Sequence, residues 1–124
     1  MSEPIFEITK AAAFDAAHFL EEGPPDHRYR RMHGHSFKVE ASVRGAVAEG
    51  HEWVADLGEL DAALKALADE LDHGLLNDKP GLEVPTLERL CLHFAGKLRP
   101  QFPGLSKIVV SRPTVGERCE MKVA

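Results

Sequence analysis

His33 and His35, in the run Met32-His-Gly-His-Ser-Phe37, are two imidazoles one residue apart. On a strand that spacing sets both side chains on the same face. They continue the odd-numbered face that carries Phe37 and Val39, and Gly34 between them lets the chain approach a neighbour closely. A third imidazole, His18, continues the even-numbered face of an earlier strand, with Phe14 and Ala16. All three therefore point inward, where an unpaired polar ring is costly. If the two strands are neighbours, the three rings converge on one ion. Three protein nitrogens and an open position form the donor set of a catalytic zinc site. A histidine pair alone is a weak signal; the third at matching parity makes it worth pursuing.

Asp72-His73 is a second candidate, and it has two readings. A cationic histidine at a helix C-terminus suits the helix dipole. Alternatively, the carboxylate orients the imidazole as an acid–base pair. The residues alone leave both open. The other histidines have plainer expectations: His51 in a hairpin turn, His93 on a helix, and His27 solvated in a loop.

These residues need elements to hold them. From Phe6 to Leu20, apolar residues fall largely on even positions (Phe6, Ile8, Ala12, Phe14, Ala16, Leu20), with Glu7, Thr9 and Asp15 between, the period of a half-buried strand. Ser36 to Arg44 alternates as clearly, with Phe37, Val39, Ala41 and Val43 on one face. The intervening EEGPPDHRYRR reads as a loop, with its adjacent prolines and glycine. Glu59 to Leu71 switches to helical spacing, with Leu60, Leu64, Leu67 and Leu71 on one stripe, and Asp56 followed by Glu59 resembles a capping pair. A second helix follows Pro85, with Thr86 as N-cap and Leu87, Leu90, Cys91, Phe94 and Leu98 inward. Lys107 to Arg112 and Arg118 to Val123 read as closing strands joined by a turn at Pro113 to Gly116. The order ββααββ predicts an α+β fold: a four-stranded antiparallel sheet with two helices on one face. So small a sheet leaves edges for assembly to cover.

The 124 residues suffice for one domain with a real core, and 44% hydrophobic with 28% charged is ordinary for a soluble protein. A net charge of −5 argues against nucleic acid as the partner. Cys91 and Cys119 are too few for a disulfide framework and match no zinc ribbon. No leader pattern is evident, and nothing approaches the roughly 18 consecutive apolar residues of a membrane span. A reduced, cytoplasmic protein with no membrane partner is the expectation.

Taken in order, the blocks Phe14-Asp-Ala-Ala-His18, His33-Gly-His35-Ser-Phe37, Asp56-Leu57, Leu71-Asp72-His73, Leu76-Asn77-Asp78 and Pro85-Thr86-x-Glu88 resemble one family across nearly the whole chain. It is the 6-pyruvoyltetrahydropterin synthase and 6-carboxytetrahydropterin synthase family. The resemblance implies a single T-fold domain over residues 1–124, assembled as a hexamer of two trimers with active sites between subunits. It implies zinc at His18, His33 and His35. The family acts on dihydroneopterin triphosphate; zinc holds the side-chain hydroxyls and acidifies neighbouring C–H bonds, a cysteine removes the proton, and an Asp-His pair relays or donates one. Asp72 and His73 match that pair, which brings the acid–base reading forward.

Two departures touch the reaction itself. The family pattern Cys-x-x-x-His-Gly-His here reads Tyr29-Arg30-Arg31-Met32-His33-Gly34-His35, so a tyrosine stands where the cysteine belongs. Its pKa near 10, against about 8.5 for cysteine, makes it a poorer base at neutral pH. Flanking Arg28, Arg30 and Arg31 are the groups that could make it a better base; a solvated loop with a tyrosine filler is the plainer alternative. The family's late Val-x-Glu-Thr aligns locally with Val110-Ser111-Arg112-Pro113-Thr114, placing Arg112 at the pterin-anchoring glutamate. A guanidinium only donates, so it suits a carboxylate, phosphate or carbonyl edge instead. Glu117 or Glu120 are candidates to compensate.

The expectation is therefore a zinc-binding homologue of these synthases, a lyase performing proton transfer or carbon–carbon cleavage on a pterin-like or GTP-derived small molecule. Its catalytic candidates are His73, Asp72 and Tyr29, with Arg112 binding substrate. The alternatives are an active 6-carboxytetrahydropterin synthase using another base, and a non-catalytic zinc and ligand-binding module.

Overall fold

The structure, a computed structural model, describes residues 3–123. Its elements run β1 (Phe6–His18), β2 (His33–Gly45), α1 (Leu57–Leu71), α2 (Leu87–Leu98), β3 (Leu105–Arg112) and β4 (Glu117–Lys122). The strands form one antiparallel sheet in the order β1-β2-β3-β4, so both helices occur in the connection between two adjacent strands. The predicted ββααββ fold is what the chain adopts.

Period-two patterning explains the layering. Phe14 pairs with Phe37 across β1 and β2, and their rings stack at 5.1 Å. With Val39, Ala41, Ile108 and Val110 they form the sheet's buried face. Onto it the helices lay Leu60, Leu64, Ala68 and Leu71 from α1, and Leu87, Leu90, Cys91, Phe94, Ala95 and Leu98 from α2. Leu67, expected on the α1 stripe, is only partly buried, and Ala68 takes the central place. Both N-caps form: Asp56 accepts from the Gly58 N–H and Thr86 from the Arg89 N–H. The Asp56 cap starts α1 at Leu57, three residues before the apolar stripe begins at Leu60.

The strand ends differ from the alternation pattern in a way that matters for the histidines. β2 starts at His33, because His33 pairs directly with His18 and His35 with Ala16. β1 stops at His18, after which the Asn77 side chain accepts from the Phe19 N–H and donates to the Phe19 carbonyl. His51 lies in the connection from β2 to α1, not in a hairpin, and stacks on Trp53. His27 is not idle in its loop: it caps a single 3₁₀ turn, Arg28–Arg30, and stacks on Tyr29 with ring centroids 3.7 Å apart. The turn between β3 and β4 closes with Gly116 in the left-handed region, which glycine adopts freely.

Candidate metal centre and active site

His18, His33 and His35 come together at one end of the sheet. Strand pairing sets them on the helix-covered face, and the ring centroids lie 4.5, 5.0 and 4.8 Å apart. One ring nitrogen from each lies within 4.8 Å of the others. The second nitrogens have their own roles. His18 Nδ1 lies 3.4 Å from the Pro85 carbonyl and His33 Nδ1 2.6 Å from the Arg31 carbonyl. A carbonyl oxygen only accepts, so in both rings Nδ1 carries a proton and Nε2 is the nitrogen left to face the other rings. This backbone tether is the usual way a ligating imidazole is oriented.

The electrostatics agree. His18 is fully buried, and burial, followed by the neighbouring His33, pulls its pKa down to about 4. Burial, and then Arg112, also holds His35 below the ordinary value. Metal ligation needs deprotonated donors, and the lowered values of His18 and His35 favour that form without help from the metal. Three inward, converging imidazoles fit a divalent metal ion.

Arg112 and Glu117 complete the wall. They are cross-strand partners in the β3–β4 hairpin and share the histidines' face. Arg112 Nε lies 2.8 Å from Glu117 Oε1, and Arg112 Nη1 lies 3.5 Å from His18 Nε2. Glu120, the other acidic candidate, is on the opposite face, bonded to Arg118. A cavity of ≈ 660 Å³ opens between His33, His35, Arg112, Glu117, Tyr29 and the mouth residues Arg28 and Arg31. Tyr29 thus lines the same cavity as the triad, with its hydroxyl packed against Gly23. Arg30 is spent on the loop, donating to the Gly23 and Pro24 carbonyls.

Asp72 and His73 lie just beyond α1, beside the edge of β1. Asp72 Oδ1 accepts from the Asp15 N–H at 2.8 Å, and His73 N–H donates to the Asp15 carbonyl at 2.6 Å. The other Asp72 oxygen accepts from His73 Nδ1 at 2.8 Å. His73 has φ 57°, a left-handed conformation that costs a non-glycine residue about 1 kcal/mol or more and that these bonds hold in place. Its ring is exposed on a groove of ≈ 720 Å³ with Asp15 and Ser36, side chains of the sheet's other face. The two depressions flank one end of the sheet and share Gly34, His35 and Thr114. The hydrogen bonds of Asp72 and His73 among the described residues do not reach the triad.

The backbone bond from Asp15, then His73, holds the Asp72 carboxyl below its usual range, and the Asp72 hydrogen bond raises His73. Because that pKa is raised, protonated His73 favours the folded state below its unfolded value, and the contribution disappears as pH rises through the folded one. Asp72→Asn keeps the bond from Asp15 but removes the charge. The His73 midpoint, followed by NMR, is expected to fall towards about 6.5; an unmoved midpoint would show that Asp72 does not govern it.

Residue spacing gave no role to Asn77 or to the Pro85 and Arg31 carbonyls, nor the pairing of Glu117 with Arg112. Asn77 stood in a recognised block, but what it bonds is set by tertiary packing.

The family model described as 6-pyruvoyl tetrahydropterin synthase matches residues 7–123. The chain is 39% identical over 111 residues to 6-carboxy-5,6,7,8-tetrahydropterin synthase of Synechocystis sp., covering 83% of each. It is 32% identical over 101 residues to dihydroneopterin monophosphate aldolase of Pyrococcus furiosus, covering 82% of each. The solved structure of Caenorhabditis elegans 6-pyruvoyl tetrahydropterin synthase superposes with TM-score 0.85 at 23% identity, covering 100% of this chain and 99% of that one. Fold and site define a T-fold protein of tetrahydropterin-synthase type. The chain belongs to the 6-pyruvoyl tetrahydropterin synthase family, whose members are lyases of pterin biosynthesis. Among the described residues no helix is long and apolar enough to cross a membrane.

Proposed function

We propose that this chain is a zinc-dependent lyase acting on a dihydropterin side chain, with His18, His33 and His35 as the zinc ligands. The observation that carries this reading is the convergence of three inward imidazoles, two of them with the second nitrogen tethered to a backbone carbonyl. When bound, zinc would supply a Lewis acid that polarises a substrate oxygen and acidifies the adjoining C–H bond. The rest falls to the chain. His73 carries a proton at Nε2 while Asp72 holds Nδ1, the arrangement of a general acid or base. Arg112 binds substrate from the cavity wall, and Tyr29 is the third catalytic candidate at the cavity mouth.

Tyr29 and Arg112, in place of the family's cysteine and glutamate, disfavour the usual synthase reaction. Similarity to a dihydroneopterin monophosphate aldolase supports carbon–carbon cleavage instead. A second reading, a working 6-carboxytetrahydropterin synthase with another base, is supported by the Synechocystis relative. A third is a zinc and ligand-binding module whose reaction is lost. Incubating zinc-loaded protein with dihydroneopterin phosphates separates them: zinc-dependent consumption is expected, and persistence of every substrate with zinc bound would leave the binding module.

We place the work between subunits of a homo-hexamer, two trimers face to face, with residues 1–124 as one unit in the cytoplasm. What supports assembly is the exposed dyad on one sheet face and the triad on the other, so that one chain's dyad serves another's triad. Exposed Phe6, Trp53 and Leu57 around an apolar groove of ≈ 490 Å³ support it further. The two free cysteines suit a reducing compartment. Light scattering at micromolar concentration is expected to give a mass several times the 13.7 kDa chain; a 13.7 kDa species would contradict assembly.

A further inference from the structure

Arg112 is held where it is but not used up. Its side chain is only 12% exposed, yet its buried Nε has no hydrogen-bond partner, because Glu117 Oε1 at 2.8 Å lies off the N–H direction. Its other contacts are weak: Nη1 stands 3.5 Å from His18 Nε2, and the guanidinium carbon lies 6.0 Å from the Phe37 ring centroid. A guanidinium has five N–H donors and no acceptor. A largely covered guanidinium whose Nε makes no hydrogen bond is incomplete, since unmade bonds to a charged group are costly.

The surroundings say what completes it. Arg112 lines the cavity onto which His33 and His35 open, and Arg28 and Arg31 line its mouth. Three arginines on one cavity of a chain with net charge −5 is a local reversal of sign that concentrates anions there. Glu117 is the one acidic side chain in that lining, and it offsets a single arginine. A divalent ion on the triad would make the cavity more cationic still. Resting on the metal reading above, we propose that Arg112 is a specificity-determining oxyanion clamp that holds a carboxylate or phosphate group of the substrate beside the three histidines. Glu117 is its positioning residue and its competitor: it fixes the guanidinium from one side and weakens its pull on a ligand. This accounts for a donor standing at a position where the family resemblance expects an acceptor. The substrate meets this wall with an anionic group, not with ring N–H donors.

Inorganic phosphate and acetate are the probes, and cobalt(II) in place of zinc gives a visible spectrum that reports ligands at the centre. Each anion is titrated into cobalt-loaded wild type, Arg112→Met, Arg112→Lys and Glu117→Gln. In parallel the Arg112 guanidinium N–H resonance is followed by NMR in metal-free and zinc-loaded wild type. The expected result is saturable binding of at least one anion, weakened roughly tenfold or more in Arg112→Met. Partial retention is expected in Arg112→Lys, which keeps charge but not the planar fork, and tighter binding in Glu117→Gln. Phosphate bound more tightly than acetate assigns the clamp to a phosphorylated substrate, and the reverse order assigns it to a carboxylate. The Arg112 resonance should shift with anion in both protein forms. Failure of cobalt or zinc to bind would overturn the metal reading, while the metal-free NMR titration still decides this one. Equal anion affinity in Arg112→Met and wild type, or an Arg112 resonance that ignores both anions in both forms, would overturn the clamp.

Discussion

Zinc-loaded and freed of excess metal, the protein is expected to retain about one zinc per chain, and His33→Ala essentially none. The triad has three protein ligands, so deleting one leaves two, too few for tight zinc binding. His33 is the better variant to read, because its ring is only half-buried and its loss disturbs the core little. His18→Ala should lose metal equally, but it also empties a fully buried site against Phe37. Binding to the folded state alone stabilises it by about 4 kcal/mol when free metal is a thousand times the dissociation constant. Thermal melting should therefore rise by many degrees with zinc in wild type and stay level in His33→Ala. A wild type that melts identically with zinc and with chelator would remove the basis of the site.

How far this was legible from sequence follows from what sets each feature. The strand period is two, so parity alone put His18, His33 and His35 on the inward face, and the register of β1 with β2 then brought them together. Capping chemistry is local, so Asp56 and Thr86 could be read directly. What depends on tertiary pairing could not. Nothing local shows that the Asn77 amide would bond the backbone of Phe19, fixing the chain just beyond His18. The Asp72-His73 dyad was visible as a pair, but its place across the sheet from the triad follows from how the chain after α1 runs along β1. Arg112 was legible as a departure from a motif, and Glu117 only as one of two candidates. The hairpin register decided between Glu117 and Glu120 by putting the latter on the other face.

The second large effect is on the family's reaction. On the proposed reading, in which Tyr29 takes the place of the cysteine and Arg112 that of the glutamate, turnover of dihydroneopterin triphosphate to a pyruvoyl- or carboxy-tetrahydropterin is expected to be very weak. General-base assistance is worth about 10²–10⁴-fold. A buried, mismatched polar contact adds roughly 1–3 kcal/mol, so the joint deficit runs from about five-hundredfold upward. Tyr29→Cys alone should restore little, because the ring still meets a guanidinium where it needs an acceptor. Arg112→Glu alone supplies an acceptor without a thiolate, and it sets two carboxylates against each other at Glu117. The double variant is expected to recover more than either single change, read as initial rate at fixed zinc content. A Tyr29→Cys variant as active as the double would show that Arg112 does not oppose the ring.

The most direct test of a zinc-dependent lyase whose reaction departs from that of the synthases is mass analysis of products. Zinc-loaded and chelated wild type are each incubated with dihydroneopterin monophosphate and triphosphate. The account predicts zinc-dependent cleavage to a pterin with a shortened side chain and a phosphorylated aldehyde, with the synthase products at trace level. Vigorous formation of a carboxy- or pyruvoyl-tetrahydropterin, or turnover that survives chelation unchanged, would contradict it.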